Sequence, residues 1–216
     1  MKKIPLVLVM LICLMLPDFG YTFVPRHRKK RRFLWGAEYN YKLLFYDTDK
    51  WNSLTPEGSG LPVFDSPMGL HSFRFFLGSI EKIHFGLIAG FALSEQKTED
   101  GMNKWEGFMA GAFLEARKKM IFNIRGHAGF NLGFGRFKII SMYHYSGMGT
   151  SGHTQALFFE PYVGISYPVT KVLVLKNTFS TFFDVGRNWD LSEGDSDEPV
   201  LPRGLILSFT VGVEFR

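Results

Sequence analysis

Arg203-Gly204-Leu205-Ile206-Leu207-Ser208-Phe209-Thr210-Val211-Gly212-Val213-Glu214-Phe215-Arg216 ends the chain, and it decides the fold. In an extended strand successive side chains point to opposite faces. Leu205, Leu207, Phe209, Val211, Val213 and Phe215 then form one unbroken apolar face. Gly204, Ser208, Thr210, Gly212 and Glu214 form the other, and Ile206 alone departs from it. A helix would scatter both sets around its circumference.

The same alternation recurs upstream. In Phe33–Tyr46 the odd positions Trp35, Ala37, Tyr39, Tyr41, Leu43 and Phe45 are apolar or aromatic, against Gly36, Glu38, Asn40 and Lys42. Further strands are expected at Leu70–Gly78, Ile83–Leu93, Glu106–Arg117, Ile121–Phe137, Ala156–Tyr167 and Val172–Val185, which with the closing stretch makes eight. The segments between them alternate long and short. Asp47–Met68, Ser94–Trp105, Ile139–Gln155 and the acidic loop around Asp190–Glu198 are long, whereas Ser79–Lys82, Lys118-Lys119 and Pro168–Lys171 are tight turns.

An even number of amphipathic strands with long connections at one end and short ones at the other resembles a transmembrane β-barrel. The expected fold is therefore an all-β, eight-stranded antiparallel up-and-down barrel over residues 33–216. Its overall form is similar to that of the small OmpA-like and OmpX-like bacterial outer-membrane barrels. The closing strand is similar to theirs in a second respect, since they commonly end on an aromatic residue preceded by alternating apolar ones. That resemblance implies an insertion signal at Phe209, Val211, Val213 and Phe215, read by the barrel insertion machinery. Here Arg216 follows the aromatic position.

A soluble barrel also has one apolar and one polar row, but with the apolar row inside. Three features place it outside, against lipid. The polar row is interleaved with glycines, which suit a narrow interior. The apolar row carries no Asp, Glu, Lys or Arg, and its departures are His71, Pro161 and Asn177. Trp35, Phe122, Tyr167 and Phe215 would gather at the short-turn rim, where an aromatic girdle belongs.

The chain start reads as an export signal over residues 1–20, with Lys2 and Lys3 before an apolar segment, Ile4–Leu16. After it no run of about 18 apolar residues occurs, so no membrane helix is available. The sole cysteine, Cys13, lies inside that segment, which leaves a mature chain without thiol chemistry. Residues 21–32 form a basic periplasmic arm, with Arg26-His27-Arg28-Lys29-Lys30-Arg31-Arg32 at its end. Its two readings are a solvated tail and an arm lying on anionic lipid headgroups. Residues 1–32 hold eight Lys and Arg against one Asp, so the +5 of the whole chain becomes −2 once their +7 is set aside. The basic balance belongs to one end and is no nucleic-acid signal.

An eight-stranded barrel is just wide enough for side chains to fill it. The inward row offers a polar network of Glu38, Lys42, Arg74, Arg125, His127, Glu160, Lys176 and Asp184, with His84, Glu115, Arg117 and Glu214 in the same row. Arg74, Arg125, Glu160 and Lys176 are expected at its centre. Such a row makes either a hydrogen-bonded plug or a narrow water path. No catalytic motif appears: His71 and Ser72 are neighbours and so point to opposite faces. His144 and His153 do not have metal-ligand spacing, and Gly147–Gly152 lacks the Lys of a phosphate loop. Neither a cofactor nor a metal is expected. Trp51, Trp105, Tyr143, Tyr145 and Trp189 lie in or beside the long loops, placed to meet lipid headgroups or a partner. The functional classes left are a monomeric surface or structural protein acting through its loops, a narrow channel, and a lipid A-modifying enzyme. Expected partners are outer-membrane lipid and lipopolysaccharide, with both termini in the periplasm.

Overall fold

The computed structural model describes residues 33–46, 62, 68–79, 83–144, 149–191 and 204–215. The export signal of residues 1–20 and the basic arm of 21–32 lie outside the described residues, as do Trp51 and Tyr145. The strands are β1 (Phe33–Tyr46), β2 (Met68–Ser79), β3 (Ile83–Lys97), β4 (Gly101–Lys119), β5 (Arg125–Tyr143), β6 (Gly149–Pro168), β7 (Leu173–Thr181), β8 (Phe183–Leu191) and β9 (Gly204–Phe215). Every pairing is antiparallel. Only Phe182 separates β7 from β8, and both pair with β6, so they are two halves of one stave. β5 pairs with β6 and β9 with β1, which closes the sheet into an eight-stave barrel.

The register fixes its dimensions. Cα partners run from Leu34 through Gly78, His84, Glu115, Gly129, Tyr162, Ser180 and Ile206 back to β1 at Leu44, ten residues beyond the start. A stagger of ten residues at ~3.3 Å each, across eight spacings of ~4.8 Å, gives a strand tilt of about 40° and a radius of about 8 Å. A cylinder that narrow leaves room for one layer of side chains from each wall. At Gly111 and Gly133, which pair inside, a Cβ on either would stand 2.6 or 2.8 Å from the other's Cα. Here the inner surface accepts only glycine.

Exposure follows the alternation. The outward row holds Phe75 at 63%, Leu87 at 66% and Trp35 at 55% exposed, whereas Glu115 and His84, facing inward, are both at 0%. Along β4 the outward residues Phe108, Ala110, Ala112, Leu114 and Ala116 carry no charge, with Glu106 above them and Lys118 below. From Phe108 to Ala116, eight residue steps of a strand tilted by about 40° rise about 20 Å, and the twelve steps from Glu106 to Lys118 about 30 Å. This brackets the ~25 Å apolar band of an outer-membrane barrel. Trp35 stacks on Phe215 at 4.5 Å at the lower edge of the band. Ile206, the exception in the closing strand, faces inward and is fully buried.

Three of the expected connections are corrected. Lys118 and Lys119 still belong to β4; the turn is Met120–Ile124, with positive φ at Phe122 (51°) and Asn123 (66°) and a bond from Ile124 N–H to the Ile121 carbonyl of 3.0 Å. Phe122 and Ile124 are thus turn residues, not strand residues. The Ser94–Trp105 loop is mostly strand, since β3 runs to Lys97 and β4 begins at Gly101, and only Thr98–Asp100 connects them. Likewise β5 continues to Tyr143 and β6 begins at Gly149, inside the expected Ile139–Gln155 loop. β3, β4, β5, β6 and β8 therefore rise past the ends of β1, β2 and β9 as a wall. Trp105, read as a loop aromatic, is fully buried on the inner side of this wall and stacks on Phe137 at 5.4 Å.

Candidate functional site

The interior has two zones. Towards the end where β1 finishes, Leu44, Met68, Leu70, Ile88, Met109, Phe158 and Ile206 form a buried apolar cluster, continued upward by Trp105 and Phe137. It lies inside the barrel below the wall. Beneath it, among the described residues, lie four buried glutamates, Glu38, Glu115, Glu160 and Glu214, and four buried cations, Lys42, Arg74, Arg117 and Lys176. The balance is what burial demands, because an unpaired charge in such a site costs several kcal/mol.

The network has an upper knot, a connecting guanidinium and a lower knot. In the upper one Lys42 Nζ donates to both oxygens of Glu160 at 2.6 Å. Asn131 Nδ2 donates to Oε2 of the same carboxylate at 2.6 Å, and Ser180 Oγ to Oε1 at 2.8 Å. Arg74 connects the knots. Its Nη2 donates to Asn131 Oδ1 at 2.9 Å, while Nη1 stands 3.9 Å from Glu38 and 3.8 Å from Glu115. The guanidinium carbon also lies over the rings of Phe113 and Tyr162, 4.9 and 4.6 Å from their centroids, in cation–π contact with both.

In the lower knot Lys176 Nζ stands 2.5 Å from Glu38 and 2.9 Å from Glu115. Arg117 reaches three carboxylates: Nε donates to Glu115 at 2.5 Å, Nη2 to Glu38 at 3.2 Å, and Nη1 to Glu214. Arg125 Nη1 donates to the second oxygen of Glu214 at 3.4 Å, from the rim where β5 begins. Tyr162 OH adds a donor to Glu115 at 3.2 Å.

Glu38, Lys42, Arg74, Glu160 and Lys176, all expected in the network, are brought together in it. His127 faces inward and is buried, but its Nε2 pairs with Thr178 Oγ1 at 3.2 Å, beside the charged groups. Arg125 was expected at the centre and stands instead at the edge of the barrel, 14% exposed, because the strand expected to start at Ile121 starts at Arg125 itself. Glu115 and Arg117 take the central place. The signal for them was present, since both sit in the same inward row of one strand. Asp184 pairs by its backbone with Phe158 next to a register shift, and its side chain lies outside the described residues, as does that of Trp189. Phe209, Val211 and Phe215 point outward and are exposed, and Val213, in the same row, is half-buried.

Two departures in the outward row fall on one register line, Asn177 with Phe209, Tyr41 and His71. His71 Nδ1 is bonded to Tyr39 OH at 2.6 Å, so its polarity is met within the sheet. Among the described residues no group of three or more His, Cys, Asp or Glu could hold a metal ion.

The sequence matches no protein-family model and no curated protein sequence. Solved structures are similar to it in fold. Ail, the attachment invasion locus protein of Yersinia pestis, solved in complex with the heparin analogue sucrose octasulfate, aligns at a TM-score of 0.52 with 10% identity, over 85% of this chain and 99% of that one. The chain shares the fold of the small outer-membrane barrels. Neisserial surface protein A aligns at 0.48 with 13% identity, over 84% of this chain and 95% of its own. A major outer membrane protein of Thermus thermophilus aligns at 0.48 with 13% identity, over 84% of this chain and 99% of its own.

Proposed function

We propose that the protein is a bacterial outer-membrane barrel with a sealed interior, acting at the cell surface as a structural or interaction protein through its outer loops and the wall that carries them. The observation that carries this reading is the interior itself. Each of the four buried glutamates is ion-paired to at least one buried cation, and an apolar cluster fills the bore above them. An ion crossing the barrel would have to break pairs that nothing else replaces, and then pass side chains offering it no ligand. What remains for the molecule to act with is its outside.

In this reading the apolar band meets outer-membrane lipid and the wall stands among lipopolysaccharide sugars and phosphates. The termini and the basic arm 21–32 lie in the periplasm, the segment 1–20 is removed on export, and the barrel is a monomer. The row Phe209, Val211, Val213 and Phe215 is the part presented to the insertion machinery. The exposed charges near the top of the wall carry both signs, Glu95, Glu99 and Asp100 beside Lys97, so a partner of mixed charge fits it better than a polyanion of the kind bound to Ail.

The test is single-channel conductance of the refolded chain in a planar bilayer, beside a Lys42→Ala, Glu160→Ala double variant. A silent parent is expected. Discrete openings in the parent, altered by the double variant, would refute the sealed barrel and make the interior row a conduction path.

A further inference from the structure

Polar side chains stand deep inside the apolar band, facing out. On β3, β4, β5 and β6 the outward row within the band holds no side-chain nitrogen or oxygen, whereas β1 and β2 place Tyr39, Tyr41 and His71 there together. His71 is their hub. Its ring stacks on Phe91 at 5.1 Å and lies 5.2 Å from the ring of Tyr41, while Tyr39 OH meets Nδ1 at 2.6 Å. With the phenol as donor, the hydrogen of a neutral imidazole is left on Nε2. Among the described residues neither Nε2 nor the Tyr41 hydroxyl has a hydrogen-bond partner. In hydrocarbon no water can take that place.

Their depth limits what can meet them. Tyr41, His71, Phe91, Phe108 and Arg136 share one register line, which climbs towards the wall. Each step between staves tilted by about 40° raises the line about 3 Å, so His71 stands about 9 Å below Arg136, the first outward charge above the band on β5. Tyr41 leans upward across Gly69, where a Cβ would stand 3.2 Å from its hydroxyl. Gly69 is two residues above His71, which puts that hydroxyl about 4 Å below Arg136. Headgroups end too high to reach the imidazole, and a plain acyl chain has no oxygen at its depth. A chain oxygenated on its third carbon carries two oxygens in the right order, the carbonyl beneath the headgroup and the second a few ångströms further down.

We infer that Tyr41 and His71 form a binding site for one outer-leaflet glycolipid of the kind whose acyl chains bear a hydroxyl or acyloxy group on the third carbon. The chain carbonyl accepts from Tyr41 OH and the third-carbon oxygen from His71 Nε2. Tyr39, itself 5.3 Å from the ring of Phe73, holds the imidazole in place, and Phe91 covers its face. The site gives the lipopolysaccharide partner proposed above a contact that selects by chain chemistry. It rests on that reading, including the wall at the outer face.

The test uses the full chain labelled with nitrogen-15 in its histidines and refolded into phosphatidylcholine vesicles containing phosphatidylglycerol, whose chains are either myristoyl or 3-hydroxymyristoyl. The headgroup is then constant and only the third carbon differs. By solid-state NMR the Nε2 resonance of His71, identified by its loss in His71→Leu, should shift with the hydroxylated chains alone. Tyr41→Phe should raise the content of hydroxylated lipid needed for half of that shift by about two- to tenfold. An Nε2 resonance identical in the two lipids overturns the site, and so does one that follows the protein-to-lipid ratio instead, which would put a second copy against this face. An unchanged half-point in Tyr41→Phe overturns the part given to Tyr41. A nitroxide at Leu87→Cys in a Cys13→Ser chain separates the two readings. Collisions there should favour oxygen over a water-soluble nickel chelate; the reverse would overturn the membrane reading and the site with it.

Discussion

Replacing Lys42 and Glu160 singly and together tests whether the interior is a set of mutually dependent charges. Lys42 is 2% exposed and Glu160 1%. With Glu160→Leu, the Lys42 ammonium keeps, among the described residues, the ring of Phe182, 5.8 Å away, and Asn131 and Ser180 each lose an acceptor. An uncompensated buried charge costs about 3–5 kcal/mol and each orphaned donor about 1 kcal/mol or more, so this variant should lose roughly 5 kcal/mol. With Lys42→Met the carboxylate keeps its bonds from Asn131 and Ser180, and the loss should be about 3 kcal/mol. The double variant has no charge to strand. It retains only the cost of the orphaned donors, about 2 kcal/mol, well below the sum of the single losses. Reversible urea unfolding in vesicles, followed by tryptophan fluorescence, gives all three values. If the single effects add to within about 0.5 kcal/mol, the two residues are independent and the derivation of the sealed interior from paired charges fails.

Substitutions at three further positions probe packing by the same unfolding assay. Gly164→Ala places a Cβ 2.7 Å from His127 Nε2 and against the Asn177 carbonyl, so it should cost about 1–3 kcal/mol. Gly126→Ala, which meets only the movable Met120 side chain, its sulfur at 3.0 Å, should cost less than about 1 kcal/mol. Trp105→Ala removes a fully buried ring from its stack on Phe137 and should cost about 3–5 kcal/mol, while Trp105→Phe should recover a large part of that. An effect below about 1 kcal/mol for Trp105→Ala would place the ring outside the core.

The sequence was most legible where one physical rule acted without interruption. Inside the band every strand has lipid on one side and a narrow polar bore on the other, so period 2 alone assigned β1, β2 and β9 and oriented Glu38, Lys42, Arg74 and Lys176 inward. Turns were less legible. Lys118-Lys119 looked like a turn because two lysines end an apolar row, yet both still pair, with Gly126 and Arg125, and the chain reverses among Met120–Ile124. Nothing in the residue types of Met120-Ile121-Phe122 announces a reversal. That error moved Arg125 four residues into a strand and gave it the central place that Glu115 and Arg117 hold. Which carboxylate meets which cation was not legible at all, because partners such as Lys42 and Glu160 are 118 residues apart and meet only through the barrel's stagger.

The long loops failed for a different reason, and it carries information. Along β4, from Ala116 up to Phe108, apolar residues face out and Met109, Phe113 and Glu115 face in. Above that, Lys104 and Glu106 face out, paired at 2.6 Å, and buried Trp105 faces in. β5 does the same, with Phe134 exposed outward in the band, then Arg136 and Lys138 exposed outward around buried Phe137. The strand continues but the sense of its alternation inverts, because the medium outside changes from lipid to water while the inner face stays packed. A pattern search that expects apolar-out therefore loses the strand at Glu106 and Arg136 and reads a loop. The point of inversion is itself a level along the barrel axis: it puts one edge of the apolar band at Glu106 and Arg136, as Lys118 puts the other. Two signs of one alternation along a single β-strand are difficult to reconcile with a barrel wholly in water, where the outward row would have been polar along its whole length.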